Sequence, residues 1–371
     1  MSFLKEYIED LRELVNLDTG TANTAGVTRA AQIMKGHFES IGFTCELVDF
    51  GPRVGAGLLA RNKPEASHYD VLFNAHLDTV FPDGTAAARP FSIEGFLARG
   101  PGCADCKAGV LSIFYALKRA RPEDLKRLSI AVAYNPDEET GSLFSDSWLS
   151  SLGGKSDCAL VCEAARPNGE LVRARKGISI YTVKFTGRAA HAGNNPQDGR
   201  SALLAAARFV LEADKLNDFE HGSTITAGIM HAGTVSNVIP ENAYVEFDTR
   251  YWTNEEQQHQ KASLKELAAR NWGEEIVTTF EQNTFKAAMP YSEATKALVE
   301  KISNAAQEVG FKAEFVDAGG ASDGNNLALM GTPVIDGCGP SGGGYHTDHE
   351  YLRLDTVEER SLMLKKFLEL I

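Results

Sequence analysis

The apolar positions of this chain change period several times, and those changes divide it. Leu4, Tyr7, Ile8, Leu11, Leu14 and Val15 recur at helical spacing, and a second helix is predicted over residues 27–40, ended by Gly42. Short apolar runs at residues 45–50, 57–60 and 71–74, separated by turn residues, then predict strands. A helix beginning near Lys107 carries Leu111, Phe114, Tyr115 and Leu117 towards Ala120, and strands follow at residues 129–134 and 159–162. Strand alternating with helix argues a layered α/β domain with a mostly parallel sheet.

From Ile178 the rhythm differs. Strands are predicted at residues 179–186, 223–230, 243–250 and 275–281, with helices at 200–215 and 255–270. That order, β-α-β-β-α-β, is ferredoxin-like. After Ala288 the first pattern resumes, with a helix over 291–309, a last strand at 333–335 between glycine-rich loops at 319–324 and 337–344, and a closing helix over 356–370. The expected organisation is one domain of residues 1–177 and 288–371, interrupted by an inserted domain of residues 178–287. A chain of 371 residues accommodates about two domains, and it contains no internal repeat.

Hydrophobic residues make up 43% and charged residues 23%, as in a globular protein with a proper core. The net charge of -13 disfavours nucleic acid and anionic membrane as partners, so an acidic ligand must be met by local cations. No apolar run approaches a membrane span, and the opening Met1-Ser2-Phe3-Leu4-Lys5-Glu6 lacks the basic-then-apolar order of a signal peptide, so a cytoplasmic location is expected. The six cysteines are then expected to be thiols. Cys103, Cys106, Cys158 and Cys162 have nominal spacing for a structural zinc, but Cys158 and Cys162 flank a strand-like run and read as core residues.

The chemistry gathers at predicted strand ends. His76 and Asp78 follow the run at 71–74, and an Asp two residues from a His suits the orienting of a metal-bound ring. Asp105 lies in the loop before the helix, Asp137-Glu138-Glu139 follow the strand at 129–134, Glu163 follows the strand at 159–162, and His346 stands in a glycine-rich loop. Taken singly, each has a plain structural reading. Glu138 and Glu139 fit an acidic helix start, and Arg250 could pair with Asp248 or Glu246. If the strands are parallel, however, these groups share one crevice, where several carboxylates need cations. Two histidines among carboxylates suit Zn²⁺, with Co²⁺ or Mn²⁺ as substitutes. The carboxylate count suits two ions bridged by one Asp, with one carboxylate left free to take a proton.

The succession His76-Leu77-Asp78-Thr79-Val80, Gly102-Cys103-Ala104-Asp105-Cys106-Lys107-Ala108-Gly109, Asp137-Glu138-Glu139, Glu163, Ala190-His191-Ala192-Gly193 and Tyr345-His346-Thr347-Asp348 resembles the dinuclear zinc peptidases and deacylases. These include glutamate carboxypeptidase, aminoacylase, acetylornithine deacetylase and succinyl-diaminopimelate desuccinylase. The likeness runs through essentially the whole chain in order. It implies a catalytic domain interrupted by a lid and dimerisation domain. It also implies two zinc ions per subunit, one held by His76, Asp105 and Glu163, the other by Asp105, Glu139 and His346. Asp78 would orient His76, and Glu138 would be the general base, later protonating the leaving amine. His191 would reach the partner subunit's site in a homodimer and stabilise the oxyanion. Asn237, Arg250 and Gly320 would lie on the substrate side.

Two departures matter. Asp105 sits between Cys103 and Cys106, where the family usually shows Asp-Met-Lys-Gly. Lys286 stands where glutamate carboxypeptidases often place an arginine, and a lysine meets a carboxylate as a point charge, not as a fork. The substrate carboxylate would then be received by cations drawn from Arg250, Lys286, Arg175 and Lys176. The expected activity is hydrolysis of an amide beside a free carboxylate, of glutamate carboxypeptidase type. The rival is an N-acyl amino acid deacylase such as acetylornithine deacetylase or succinyl-diaminopimelate desuccinylase. A non-catalytic metal-containing binding protein is the alternative from another class.

Overall fold

A computed structural model describes residues 3–371; Met1 and Ser2, the head of the segment compared with a signal peptide, lie outside them. The chain forms two compact units, one of Met1–Ala174, Pro290–Ala318 and Ser322–Ile371, the other of Arg175–Met289 with Gly319–Ala321.

The first unit is built on a six-stranded sheet in the order Thr44–Val48, Gly57–Arg61, Ile130–Asn135, Val71–His76, Ala159–Val161, Val334–Ile335. The pairings from Ile130–Asn135 to Val334–Ile335 are parallel, while the two involving Gly57–Arg61 are antiparallel. Every residue of Val71–His76 and of Ile130–Asn135 is buried, as expected of central strands covered on both faces. Helix Ala108–Lys118 is buried at all but its last position. Gly109 permits this approach, since a Cβ there would lie 1.7 Å from the Cys162 carbonyl oxygen.

The second unit has the predicted element order. Its antiparallel sheet runs Thr224–Ala232, Asn242–Tyr251, Gly177–Thr186, Val277–Lys286, with helices Ala202–Ala213 and Asn254–Ala268. Asn242–Tyr251 alternates strictly, turning Ala243, Val245 and Phe247 into a core with Phe185, Phe209 and Leu264. The last strand continues beyond residue 281 to Lys286, because a bulge between Gln282 and Thr284 carries the pairing past the polar stretch. Another sheet, made of Gly342–Gly343, Tyr351–Arg353, Leu97–Arg99 and Ser92–Glu94, was not expected; strands of two or three residues carry no readable period. Among the described residues no helix is long and apolar enough to cross a membrane.

Candidate active site

Three neighbouring parallel strands deliver the candidate groups to one edge. Val71–His76 ends in His76, Ile130–Asn135 leads into the short turn Glu138–Thr140, and Ala159–Val161 leads to Glu163. His76 is 1% exposed, its Nε2 3.2 Å from Asp105 Oδ1 and 3.4 Å from Glu163 Oε1. His346, in the loop beyond Gly343, brings its Nε2 to 3.3 Å from Asp105 Oδ2 and 3.1 Å from Glu139 Oε2. Asp105 thus meets one histidine on each carboxylate oxygen. His346 has φ +61°, a left-handed conformation that costs a non-glycine residue about 1–2 kcal/mol and is common at functional sites.

Asp78 ties these strand ends together. It is wholly buried, and its carboxylate lies 3.2 Å from His76 Nδ1. The same carboxylate accepts the backbone N–H groups of Glu138 at 3.1 Å and Glu139 at 3.2 Å, and the Thr21 hydroxyl at 2.7 Å. The path of the Glu138-Glu139 backbone therefore depends on this side chain, and the imidazole orientation depends on Asp78 as a whole, since His76 Nδ1 also lies 3.0 Å from its main-chain carbonyl oxygen.

Electrostatics make the cluster costly on its own. Burial, offset by His76 and reinforced by Asp105 and Glu138, pushes Glu139 up to about 8. Burial likewise pushes Glu163 up to about 8. The hydrogen bond to Asp105 lifts His346 to about 9, and although burial opposes a charge on His76, Cys106 and then the surrounding carboxylates raise it as well. Burial would raise Asp105, but hydrogen bonds from His346 and His76 hold it far below the usual range. Without cations Glu139, Glu163 and the two histidines hold their protons more tightly than usual, while Asp105 between the histidines gives its proton up more readily.

Divalent ions fit these residues. Glu163 Oε1 is buried, and apart from His76 Nε2 at 3.4 Å it has no hydrogen-bond partner among the described residues. The donor separations of 3.1–3.4 Å are close to the roughly 3.4 Å between tetrahedral ligands held at about 2.1 Å. Among the described residues, two groups have ligand atoms mutually within 4.8 Å: His76, Asp105 and Glu139, and His76, Cys106 and Glu163.

The remaining candidates fall in the second unit. Exposed His191 accepts the N–H groups of Gly193 and Asn194 on Nδ1, both at 3.1 Å, which leaves its hydrogen on Nε2. The Asn237 carbonyl accepts the Ala192 N–H at 2.9 Å, beside the pairing of Ala190–His191 with Val238–Ile239. Arg250 makes a forked pair with Asp248 at 2.6 and 2.9 Å. Lys286 closes the last strand of the sheet, and the Gly320 carbonyl accepts Arg175 Nη1 at 2.9 Å.

The sequence model for peptidase family M20/M25/M40 matches residues 72–370. The chain belongs to this family. Among its M20 relatives, carboxypeptidase G2 of Pseudomonas sp. (strain RS-16) is 31% identical, across 97% of this chain and 88% of that protein. Succinyl-diaminopimelate desuccinylase of Azoarcus sp. (strain BH72) is 27% identical, across 96% and 95%. An aminopeptidase structure, PepT from Bacillus cereus, superposes with a TM-score of 0.82 at 22% identity, covering 99% of this chain and 98% of that one, and so shares its fold. The chain is accordingly a hydrolase of the M20 metallopeptidase kind.

Two residues beside this M20 site escaped the reading of the sequence. Thr21 is one. The other is Glu350, whose buried carboxylate accepts the N–H groups of Gly102, Ala104 and Asp105 at 2.8, 2.9 and 3.0 Å, fixing the loop that carries Asp105. Nearby Lys107, brought down to about 8 by burial against the pull of Glu350, donates to the carbonyls of Leu17 and Pro101. Backbone donors some 245 residues away leave no trace in the sequence around Glu350. Glu350→Ala should destabilise the metal-free protein by about 2–3 kcal/mol, because buried donors lose their acceptor. Denaturant unfolding measures it, and a change within about 0.5 kcal/mol would contradict this anchoring.

Proposed function

We propose that this chain is a metal-dependent exopeptidase of carboxypeptidase type, hydrolysing an amide beside a free carboxylate and releasing a glutamate-like amino acid. The observation that carries the reading is the Asp105 carboxylate, with His76 on one oxygen and His346 on the other, beside Glu139 and Glu163. His76, Asp105 and Glu163 would hold one ion, and Asp105, Glu139 and His346 the other. Zn²⁺ is the proposed metal, with Co²⁺ or Mn²⁺ as substitutes. When bound, such ions supply Lewis-acid charge at the scissile carbonyl and make water a better nucleophile at neutral pH.

Glu138 is the proposed general base. It takes the attacking water's proton and returns it to the leaving nitrogen. Asp78 holds the Glu138 backbone and the His76 ring in place. His191 would offer its Nε2–H to the developing oxyanion. Arg250, Lys286, Arg175 and Lys176 would receive the substrate carboxylate with Asn237 and the Gly320 loop, and Asp248 would hold the Arg250 fork in position. A cleft of about 500 Å³ beside Glu139, lined by Thr21, Val80, Phe81 and Thr140, offers room for the acyl side.

The likeness to a desuccinylase supports a second reading, N-acyl amino acid deacylation. N-acylglutamates, dipeptides and succinyl-diaminopimelate, assayed side by side with metal-replete protein, separate the two. Preference for glutamate-terminated amides is the expected result. Preference for the succinyl substrate would replace it, and no turnover of any of them would favour a non-catalytic binding protein.

We further propose a homodimer formed through the inserted unit. Its edge strand Thr224–Ala232 exposes Ile229 and Met230, and helix Ala202–Ala213 exposes Leu203, Leu204 and Leu211. Sedimentation should return about twice the 40.2 kDa chain mass, and a monomer at micromolar concentration would exclude it. All six cysteines are free and five are buried, which supports a reducing, cytoplasmic location; cell fractionation checks it.

A further inference from the structure

The cleft beside Glu139 carries a charge that the reaction as proposed does not use. Ala22, Val80, Phe81 and Pro82 give it apolar walls, and its charged lining residues are Asp83 and Glu139; among the described residues no lysine, arginine or histidine lines it. Glu139 is engaged as a proposed metal ligand, whereas Asp83 is not. Two segments far apart in the chain fix Asp83. The Asn23 side chain donates to Asp83 Oδ1 at 2.7 Å, while its own oxygen accepts the Gly26 N–H at 2.8 Å at the start of helix Thr24–Ser40. The Asp18 carboxylate accepts the N–H groups of Gly84 and Ala86 at 2.7 and 2.8 Å, which pins the chain directly after Asp83. Gly20 lets the two segments touch, since a Cβ there would lie 2.3 Å from the Phe81 carbonyl oxygen. These partners bring no positive charge to offset the Asp83 carboxylate. Arg89, 4.8 Å from the Phe81 ring centroid, is paired with Asp348 at 3.4 Å.

We propose that Asp83 selects the acyl side of the substrate by charge, favouring an acyl group that ends in an ammonium and rejecting one that ends in a carboxylate. The inference rests on the reading above, in which the acyl side occupies this cleft. Apolar walls accept the methylenes of any short acyl chain, so they discriminate little among chains of one length. A fixed carboxylate among them does discriminate, because a second carboxylate brought beside it meets repulsion with no cation to relieve it. The substrate class that follows is an aminoacyl amide of a glutamate-like amino acid, a dipeptide with a free amino terminus. A succinyl amide is the class that the cleft turns away.

Three amides of glutamate that differ only at the acyl terminus test this. β-Alanyl, butanoyl and succinyl groups all place their last group two methylenes from the scissile carbonyl, ending in an ammonium, a methyl and a carboxylate. Assayed with metal-replete protein at low ionic strength, kcat/KM should fall in that order, with β-alanyl about tenfold or more above succinyl. Each value is referred to the butanoyl amide of the same variant, which removes any general loss of activity. In D83N the β-alanyl to succinyl ratio should drop by about tenfold, and in D83K it should invert. Added salt should shrink the wild-type ratio, because Asp83 is exposed. Turnover of all three amides without this order, a ratio that survives in both variants, or a wild-type ratio indifferent to salt would overturn the role of Asp83 and leave amide hydrolysis intact. No turnover of any of the three would overturn both.

Discussion

Glu138→Ala is expected to lower kcat by about 10²- to 10⁴-fold, the range for removing a general base, while the protein keeps its full complement of metal. The separation follows from where Glu138 sits. Asp78 holds it by its backbone N–H, and that bond survives any change of side chain. The candidate ligand groups use Glu139 and Glu163 and not Glu138, although the two adjacent glutamates differ by one position. Steady-state rates and metal analysis on the same preparation test both halves. Metal lost in proportion to activity would make Glu138 a ligand, and the base would have to be sought elsewhere.

Asp105→Asn should have the larger effect on metal. One oxygen of this carboxylate faces His76 and the other faces His346, so a neutral amide replaces one of these oxygens with an NH2 group, taking a donor from one set and the negative charge from both while preserving volume. Affinity should fall beyond the roughly 10–100-fold typical of substitutions outside the coordination sphere, and activity should drop to background. Glu350 would still hold the backbone N–H at this position, which the substitution leaves in place, so the loop should stay folded and the loss be one of charge. Two ions retained at wild-type affinity would show that Asp105 does not bridge.

His76, Glu139 and Glu163 were legible in the sequence because parallel strands all finish at one edge of a sheet, so residues that follow apolar runs meet even when far apart in the chain. Asp105 and His346 lie in loops, and there the succession of motifs, not periodicity, carried the reading. The inserted unit was legible because Asn242–Tyr251 alternates without interruption. Glu350 and Thr21 were not, since a carboxylate accepting distant backbone amides and a hydroxyl bonded to Asp78 have no periodic or compositional signal. The Arg250–Asp248 pair was foreseen as the plain alternative, and it is present; a substrate role for Arg250 must coexist with it.

The hydroxyl of Thr21 also bears on how the enzyme is dissected. The family match begins at residue 72, which invites expression of a minimal fragment trimmed to that point. Such a fragment would discard the Thr21 donor to Asp78, and also Tyr7, whose hydroxyl caps the Ala108 carbonyl at the start of the helix following Asp105. Residues 3–71 therefore hold Asp78 and the helix after Asp105 in place, and truncation there is expected to slacken the grip on the very side chains that the trimmed piece was meant to preserve.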